Sequence, residues 1–115
     1  METKFFGEPL TDQDKVFFDL IMKKKQNVQY TVISMDFTTP CITGLLDFDL
    51  LMPSLKRMRG RTIEITNEKG LRSASSLLFK ASECEDRKSV KLSFSKKLVD
   101  LLQEGTITWE MLMKR

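Results

Sequence analysis

Residues 50–66 read LLMPSLKRMRGRTIEIT, and this stretch decides the fold. The part up to Met58 predicts an amphipathic helix, because apolar residues recur on one face at helical spacing. That face consists of Leu51, Leu55 and Met58. The last five residues alternate between polar and apolar, with Ile63 and Ile65 facing inward, and predict a strand. A helix therefore runs straight into a strand through a short basic corner.

Two further strands extend this centre into an antiparallel meander. The predicted strands are Thr62–Thr66, Leu71–Ser82 and Ser89–Phe94. Residues 67–70 have the composition of a tight turn that ends in glycine. The second strand is long for a domain of this size. At a sheet edge, its free backbone groups would suit pairing with another chain.

Helices are predicted on both sides of the meander. Thr11 and Asp14 have the spacing of a capping box, which predicts a helix that continues to the lysine run at residues 23–25. Ser95 caps a further helix that ends at Gly105. Residues 106–115 form either a final helix or a linker.

The segment between the first helix and residue 50 predicts smaller elements. Tyr30–Phe37 is rich in β-branched and aromatic residues and predicts one strand. Thr39-Pro40 has the pattern of a helix start, so we expect a short helix that ends at Gly44. Asp47 or Asp49 then caps the next helix. Pro53 belongs near the first turn of that helix, because deeper inside it would remove a hydrogen bond and clash with the preceding turn.

The composition predicts one globular domain. The chain has 115 residues, of which 41% are hydrophobic, enough for a single core. Its 19 Lys and Arg residues against 16 Asp and Glu residues give a net charge of +3, so a basic surface has to come from clustering. No apolar stretch reaches the roughly 18 residues of a membrane span, and the N-terminus lacks the pattern of a secretion signal. We therefore expect a cytoplasmic protein without a membrane partner, with Cys41 and Cys84 reduced.

The absence of histidine limits the chemistry. It excludes Ser-His-Asp and Cys-His catalytic groups, histidine metal ligands and the commonest general base at neutral pH. The two cysteines do not have the spacing of metal ligands. The acidic groups at residues 47–49 and 83–86 have the placement of helix caps and loop charges. We therefore expect no enzyme activity, no catalytic residue, no metal, no cofactor and no small-molecule substrate.

The order of the predicted elements indicates a fold class. Helices packed on a small antiparallel sheet define the α+β class, and a helix followed by a β-hairpin is the arrangement of a winged helix-turn-helix. We predict this fold, with a small antiparallel three-stranded sheet, for residues 1–105. Residues 106–115 are predicted to be a tail or a linker towards a second winged-helix domain.

The pattern resembles the N-terminal winged-helix domain of the iteron-binding plasmid replication initiator proteins. The resemblance covers residues 11–109. Its features are Leu20-Ile21, Ile33-Ser34-Met35, Leu51-x-x-x-Leu55-Lys56-x-Met58, Arg61-x-Ile63-x-Ile65, Val90 to Leu98 and Gly105-x-Ile107-Thr108-Trp109. The full proteins of this family are longer and carry a second winged helix that reads bases, so full initiation activity is not expected of this chain.

The resemblance implies a DNA-binding and dimerisation module of a plasmid replication initiator. Its partner would be double-stranded DNA at origin repeats, contacted mainly at the backbone, and its oligomeric state a homodimer joined through sheet edges and loops between strands. The implied DNA contacts are Lys56, Arg57, Arg59, Arg61, Lys69 and Arg72.

Other interpretations of the same residues stay open. Cations at a helix end, including the run at residues 23–25, are also ordinary solvated charges that complement the helix dipole. A protein–protein interaction domain without a DNA role would use the sheet edges and the apolar tail around Trp109. A winged-helix transcriptional regulator would share the pattern. The cations of residues 56–61 and 69–72 favour DNA if they share one face, whereas an intruding acidic loop at residues 83–86 favours a protein partner.

Overall fold

A computed structural model describes residues 1–40 and 47–115. Within them the chain forms an α+β fold, which confirms the predicted class. The elements in chain order are β1 (Glu2–Phe6), α1 (Asp12–Lys24), β2 (Gln26–Tyr30), β3 (Ser34–Pro40), α2 (Phe48–Gly60), β4 (Thr62–Thr66), β5 (Arg72–Ser76), β6 (Leu78–Glu83), β7 (Ser89–Ser95), α3 (Lys96–Glu104) and α4 (Trp109–Met113). The N-terminal strand β1 was not predicted.

The strands form two antiparallel sheets, ordered β1-β4-β5 and β2-β3-β7-β6. The single three-stranded sheet predicted from the sequence is therefore replaced by a three-stranded and a four-stranded sheet. The predicted strand Leu71–Ser82 divides at Leu77, which is fully buried between the sheets. The Leu77 N–H donates to the Arg61 carbonyl (3.2 Å), and its own carbonyl accepts from the Ser95 N–H (2.9 Å). Leu77 thus links one sheet to the other.

The segment predicted as one strand over Tyr30–Phe37 is a hairpin. Strand β2 ends at Tyr30, β3 begins at Ser34, and a turn joins them. Thr39 and Pro40 belong to β3, so the predicted helix start there is wrong. The reason is tertiary pairing, since β3 pairs with β7 along its whole length and overrides the local signal. Gly44, the predicted end of that helix, lies outside the described residues.

The helix starts follow the sequence closely. The capping box at α1 is confirmed, because the Asp14 N–H donates to Thr11 Oγ1 (3.2 Å) and the Thr11 N–H donates to Asp14 Oδ2 (2.9 Å). Asp47 caps α2. Pro53 lies in the second turn of α2, later than predicted. This position is tolerated because Pro53 and Asp49 are both exposed, so water can solvate the carbonyl that loses its intrahelical donor.

The core lies between the sheets and the helices. The predicted inward-facing residues of α2, β4 and β7 are all buried: Leu51, Leu55, Met58, Ile63, Ile65, Val90, Leu92 and Phe94. The Phe18 ring contacts the Phe94 ring edge to face, with centroids 5.4 Å apart, and the Trp109 ring at 5.1 Å. Leu112 of α4 is fully buried, and its carbonyl accepts a hydrogen bond from the Leu10 N–H (3.0 Å). Residues 106–115 therefore dock on this core.

Candidate nucleic-acid interface

Arg61, one of the predicted DNA contacts, is buried inside the fold with 1% of its surface exposed. Its Nη1 donates to the carbonyls of Phe6 (3.4 Å) and Gly7 (3.0 Å). Its Nη2 donates to the carbonyls of Met111 (3.3 Å) and Lys114 (2.6 Å). Burial lowers the pKa of Arg61, but a guanidinium stays charged in proteins. This side chain therefore joins β1 and α4 to the start of β4 and is not presented to solvent.

Arg57 is held by a buried acid. Its Nε and Nη2 donate to the two carboxylate oxygens of Asp14, each at 2.8 Å. Burial opposes ionisation of Asp14, but the hydrogen bonds from Arg57 and from the Thr11 backbone outweigh it, so the pKa of Asp14 lies below its usual value. The same pair raises the pKa of Arg57. This bidentate contact fastens α2 to the first turn of α1.

The other four predicted DNA contacts are exposed: Lys56, Arg59, Lys69 and Arg72. The predicted patch of four cations at residues 56–61 thus keeps two exposed members. One pair precedes β4 and the other follows it, and this strand is about 17 Å long at roughly 3.4 Å per residue. Asn67 shapes the turn between β4 and β5, because its Oδ1 accepts from the N–H groups of Lys69 (2.9 Å) and Leu71 (3.0 Å). The side chains of these four cations are accessible to a ligand from solution, and their binding to DNA stays a prediction.

The structure places Lys25, the last residue of one lysine run, close to Lys96, the first residue of another run that is distant in the sequence. We call Lys23, Lys24, Lys25, Lys96 and Lys97 the lysine cluster. Lys25 and Lys96 line one shallow depression of about 50 Å³, together with Tyr30 and Asp100. Lys25 Nζ also donates to the Met22 carbonyl at the end of α1 (3.0 Å). The second run was missed as a candidate site, although Ser95 had been recognised as the cap that places it in the first turn of α3.

The outer face of the four-stranded sheet forms a broad open groove of about 680 Å³. Asp36, Lys80 and Lys91 line it among polar neighbours. Its charges are of both signs, two lysines and one aspartate, the same balance as in the depression that Lys25, Lys96 and Asp100 line. Along residues 1–40 and 47–115, no group of three His, Cys, Asp or Glu side chains is placed to hold a metal ion.

No protein-family model, curated protein or solved structure matches this chain. Every helix in the described part of the chain is too short or too polar to cross a lipid bilayer.

Proposed function

We propose that this chain is a DNA-binding and dimerisation module that contacts mainly the backbone of double-stranded DNA. This is the function implied by the resemblance to plasmid replication initiators. The observation that carries the proposal is the lysine cluster. In it Lys96, the first residue of α3, lies close to Lys25, which caps the end of α1.

The position of Lys96 and Lys97 argues against a purely local role. A helix N-terminus carries partial positive charge, so each cation there lowers the stability of the helix by about 0.3 kcal/mol or more. The first turn of α3 contains no acidic residue, and the nearest acid on this helix is Asp100, four residues after Lys96. Helix-dipole complementarity accounts for Lys23 and Lys24 in the last turn of α1 but not for the second run. An external polyanion accounts for both runs, because phosphates would relieve the repulsion between them.

The winged-helix interpretation of the fold is part of the same proposal. Helix α2 ends at Gly60 and β4 begins at Thr62, so the helix runs directly into the β4–β5 hairpin. Lys56 and Arg59 on the helix, and Lys69 and Arg72 on the hairpin, are proposed as further backbone contacts. The proposal does not use Arg57 and Arg61, because their guanidinium groups bind groups of the same chain.

Dimerisation is proposed at the side of β5 that pairs with no strand among residues 1–40 and 47–115. This strand is an end strand of its sheet, and Arg72, Ser73 and Ala74 are exposed along it. Arg72 is its one charged residue, so little electrostatic repulsion protects the edge from pairing with a second copy. Analytical ultracentrifugation should show a monomer–dimer equilibrium, and a monomer at every accessible concentration would remove this part of the proposal.

Fluorescence anisotropy on a labelled DNA duplex, titrated across salt concentration, tests the DNA contact. The binding constant should fall with salt with a logarithmic slope of about −4 to −5 from the five lysines alone, and of about −8 if Lys56, Arg59, Lys69 and Arg72 also meet phosphates. Replacing Lys25, Lys96 and Lys97 by Gln should reduce that slope by about 2–3 units. A matched variant with Lys80, Lys88 and Lys91 changed to Gln loses the same charge elsewhere and should keep the slope.

A protein–protein interaction domain without a DNA role is the second candidate. The internal use of Arg57 and Arg61 favours it, since the predicted phosphate contacts lose two of their six members. A dimer that shows no DNA binding even at low salt would establish this alternative over the first.

A further inference from the structure

The tip of the β2–β3 hairpin exposes aliphatic side chains to water. Val32 is 96% exposed and Ile33 is 69% exposed, and Tyr30 at the end of β2 is 62% exposed. Burying an aliphatic side chain of this size gains about 1.5–3 kcal/mol, so two adjacent ones at a loop tip carry a large unused binding energy. Exposed apolar residues grouped in this way mark an interaction site more often than single ones do.

Hydrogen bonds from Thr31, Ile33 and Ser34 restrain the backbone of the tip. Thr31 Oγ1 accepts from the N–H groups of Ile33 (3.2 Å) and Ser34 (2.9 Å) and is 2.8 Å from Ser34 Oγ. The Thr31 N–H donates to the Ser34 carbonyl (2.9 Å). The Ile33 carbonyl accepts from the Lys96 N–H (3.0 Å), which anchors the tip to the start of α3.

The tip also adjoins the lysine cluster. The hydrogen bond to Ile33 fixes the backbone of Lys96 directly beside the apolar pair, and Lys97 follows it in the first turn of α3. Tyr30 shares the depression that Lys25 and Lys96 line. Asp100 is the acidic residue of that depression. The exposed aliphatic side chains of the tip therefore lie beside several lysines. A partner that fits this surface has negative charges at its periphery and an apolar interior.

We infer that this tip is a wedge that enters the minor groove of double-stranded DNA, with Ile33 and Val32 against a base step and the neighbouring lysines on the flanking phosphates. This inference rests on the proposed function and adds the element that deforms the duplex. Proteins of several folds insert aliphatic side chains between base pairs and bend the DNA by roughly 20–90°. The unstacking free energy is recovered from the phosphate contacts that the bend brings within reach.

Rigidity favours DNA over an anionic membrane as the partner. A wedge has to hold two base pairs apart, and the Thr31–Ser34 hydrogen bonds restrain the backbone that carries its side chains. A bilayer interface accepts flexible segments, and helices that bind there bury a long apolar face. The β2–β3 hairpin exposes two aliphatic residues at its tip and does not present a long apolar face.

Energy transfer between fluorophores at the two ends of a short duplex with a central TA step tests the wedge, because such steps kink most easily. The wild-type chain should shorten the end-to-end distance. The variant Val32→Ser/Ile33→Ser should bind at least tenfold more weakly, leave the duplex straight and show a shallower salt slope, because the phosphate contacts that depend on the bend are lost. Leu71→Ser is the control, since Leu71 is 66% exposed next to the β4–β5 turn and its loss should leave the bend intact.

The possible results separate this inference from the proposed function. Wild-type binding without bending, or equal bending by the tip variant, overturns the wedge and leaves the DNA-binding proposal standing. No wild-type binding to the duplex overturns both. Binding to phosphatidylserine vesicles that depends on Val32 and Ile33, with the bend unaffected by their loss, would assign the tip to a membrane and also overturn the wedge.

Discussion

The substitution Arg61→Ala tests the internal role of this side chain. Four of the five N–H donors of its guanidinium bind backbone carbonyls, and its Nε finds no partner among residues 1–40 and 47–115. The Arg61 guanidinium carbon also lies 5.5 Å from the centroid of the Phe5 ring. Each hydrogen bond from a charged donor contributes about 1.5–3 kcal/mol before the desolvation of the guanidinium offsets part of the sum. We expect a net loss of about 3 kcal/mol or more in the free energy of unfolding, because the carbonyls left without a donor cost about 1–3 kcal/mol each, part of which the removal of a buried charge offsets.

Urea denaturation followed by circular dichroism measures this loss. Arg59→Ala is the matched control, because Arg59 is exposed two residues away and its removal should change the free energy of unfolding by about 0.5 kcal/mol or less. A typical domain has only about 5–15 kcal/mol of stability, so the Arg61 variant should unfold at visibly lower urea concentration. A difference below about 1 kcal/mol between the two variants would refute the internal role.

Two further predictions concern stability. Asp14→Asn should lower the free energy of unfolding at neutral pH by about 1–3 kcal/mol, because it breaks the bidentate contact to Arg57. The folded-state pKa of Asp14 is depressed, so the stabilisation is present above the unfolded value near pH 3.9 and is lost as the pH falls through the folded pKa. Urea titrations at several pH values should therefore show the gap between wild type and variant closing below about pH 4, and a gap independent of pH would contradict the assignment. Gly7→Ala should destabilise by more than Gly70→Ala, measured as the shift in melting temperature. Both positions have positive φ, but a Cβ at Gly7 would collide with the carbonyl of Gly60, whereas the space at Gly70 is open. Equal shifts would show that strain in φ alone governs both sites.

Local patterns in the sequence predicted several elements correctly. The Thr11–Asp14 capping box, the Asp47 cap, the alternating residues of β4 and β7 and the Ser95 cap all depend on neighbours within a few residues. Such signals lie in the sequence within a few residues of the element that they specify. The α+β class followed from them.

The parts that the sequence did not reveal depend on contacts between distant residues. The division of the long strand at Leu77 arises because its backbone pairs with Arg61 on one sheet and Ser95 on the other. The burial of Arg61 requires β1 and α4, from opposite ends of the chain, to supply its acceptors. A run such as Lys56 to Arg61 therefore looks like a uniform basic patch in the sequence, although the fold uses half of its cations internally.

The lysine cluster was only partly predictable. The cap at Ser95 already placed Lys96 and Lys97 at the unfavourable end of a helix dipole, which was the available signal for a functional role. The approach of Lys96 to Lys25 follows from the pairing of β3 with both β2 and β7, which sequence periodicity does not specify.

The acetylation rate of every lysine, measured by mass spectrometry with and without duplex DNA at low salt, tests the central claim most directly. A bound phosphate backbone shields the amines that it contacts. We predict strong protection of Lys23, Lys96 and Lys97, and little change at Lys80 and Lys91 on the outer face of the four-stranded sheet. Protection confined to Lys80 and Lys91, or unchanged reactivity at every lysine, would contradict the assignment of the lysine cluster as the DNA-binding surface.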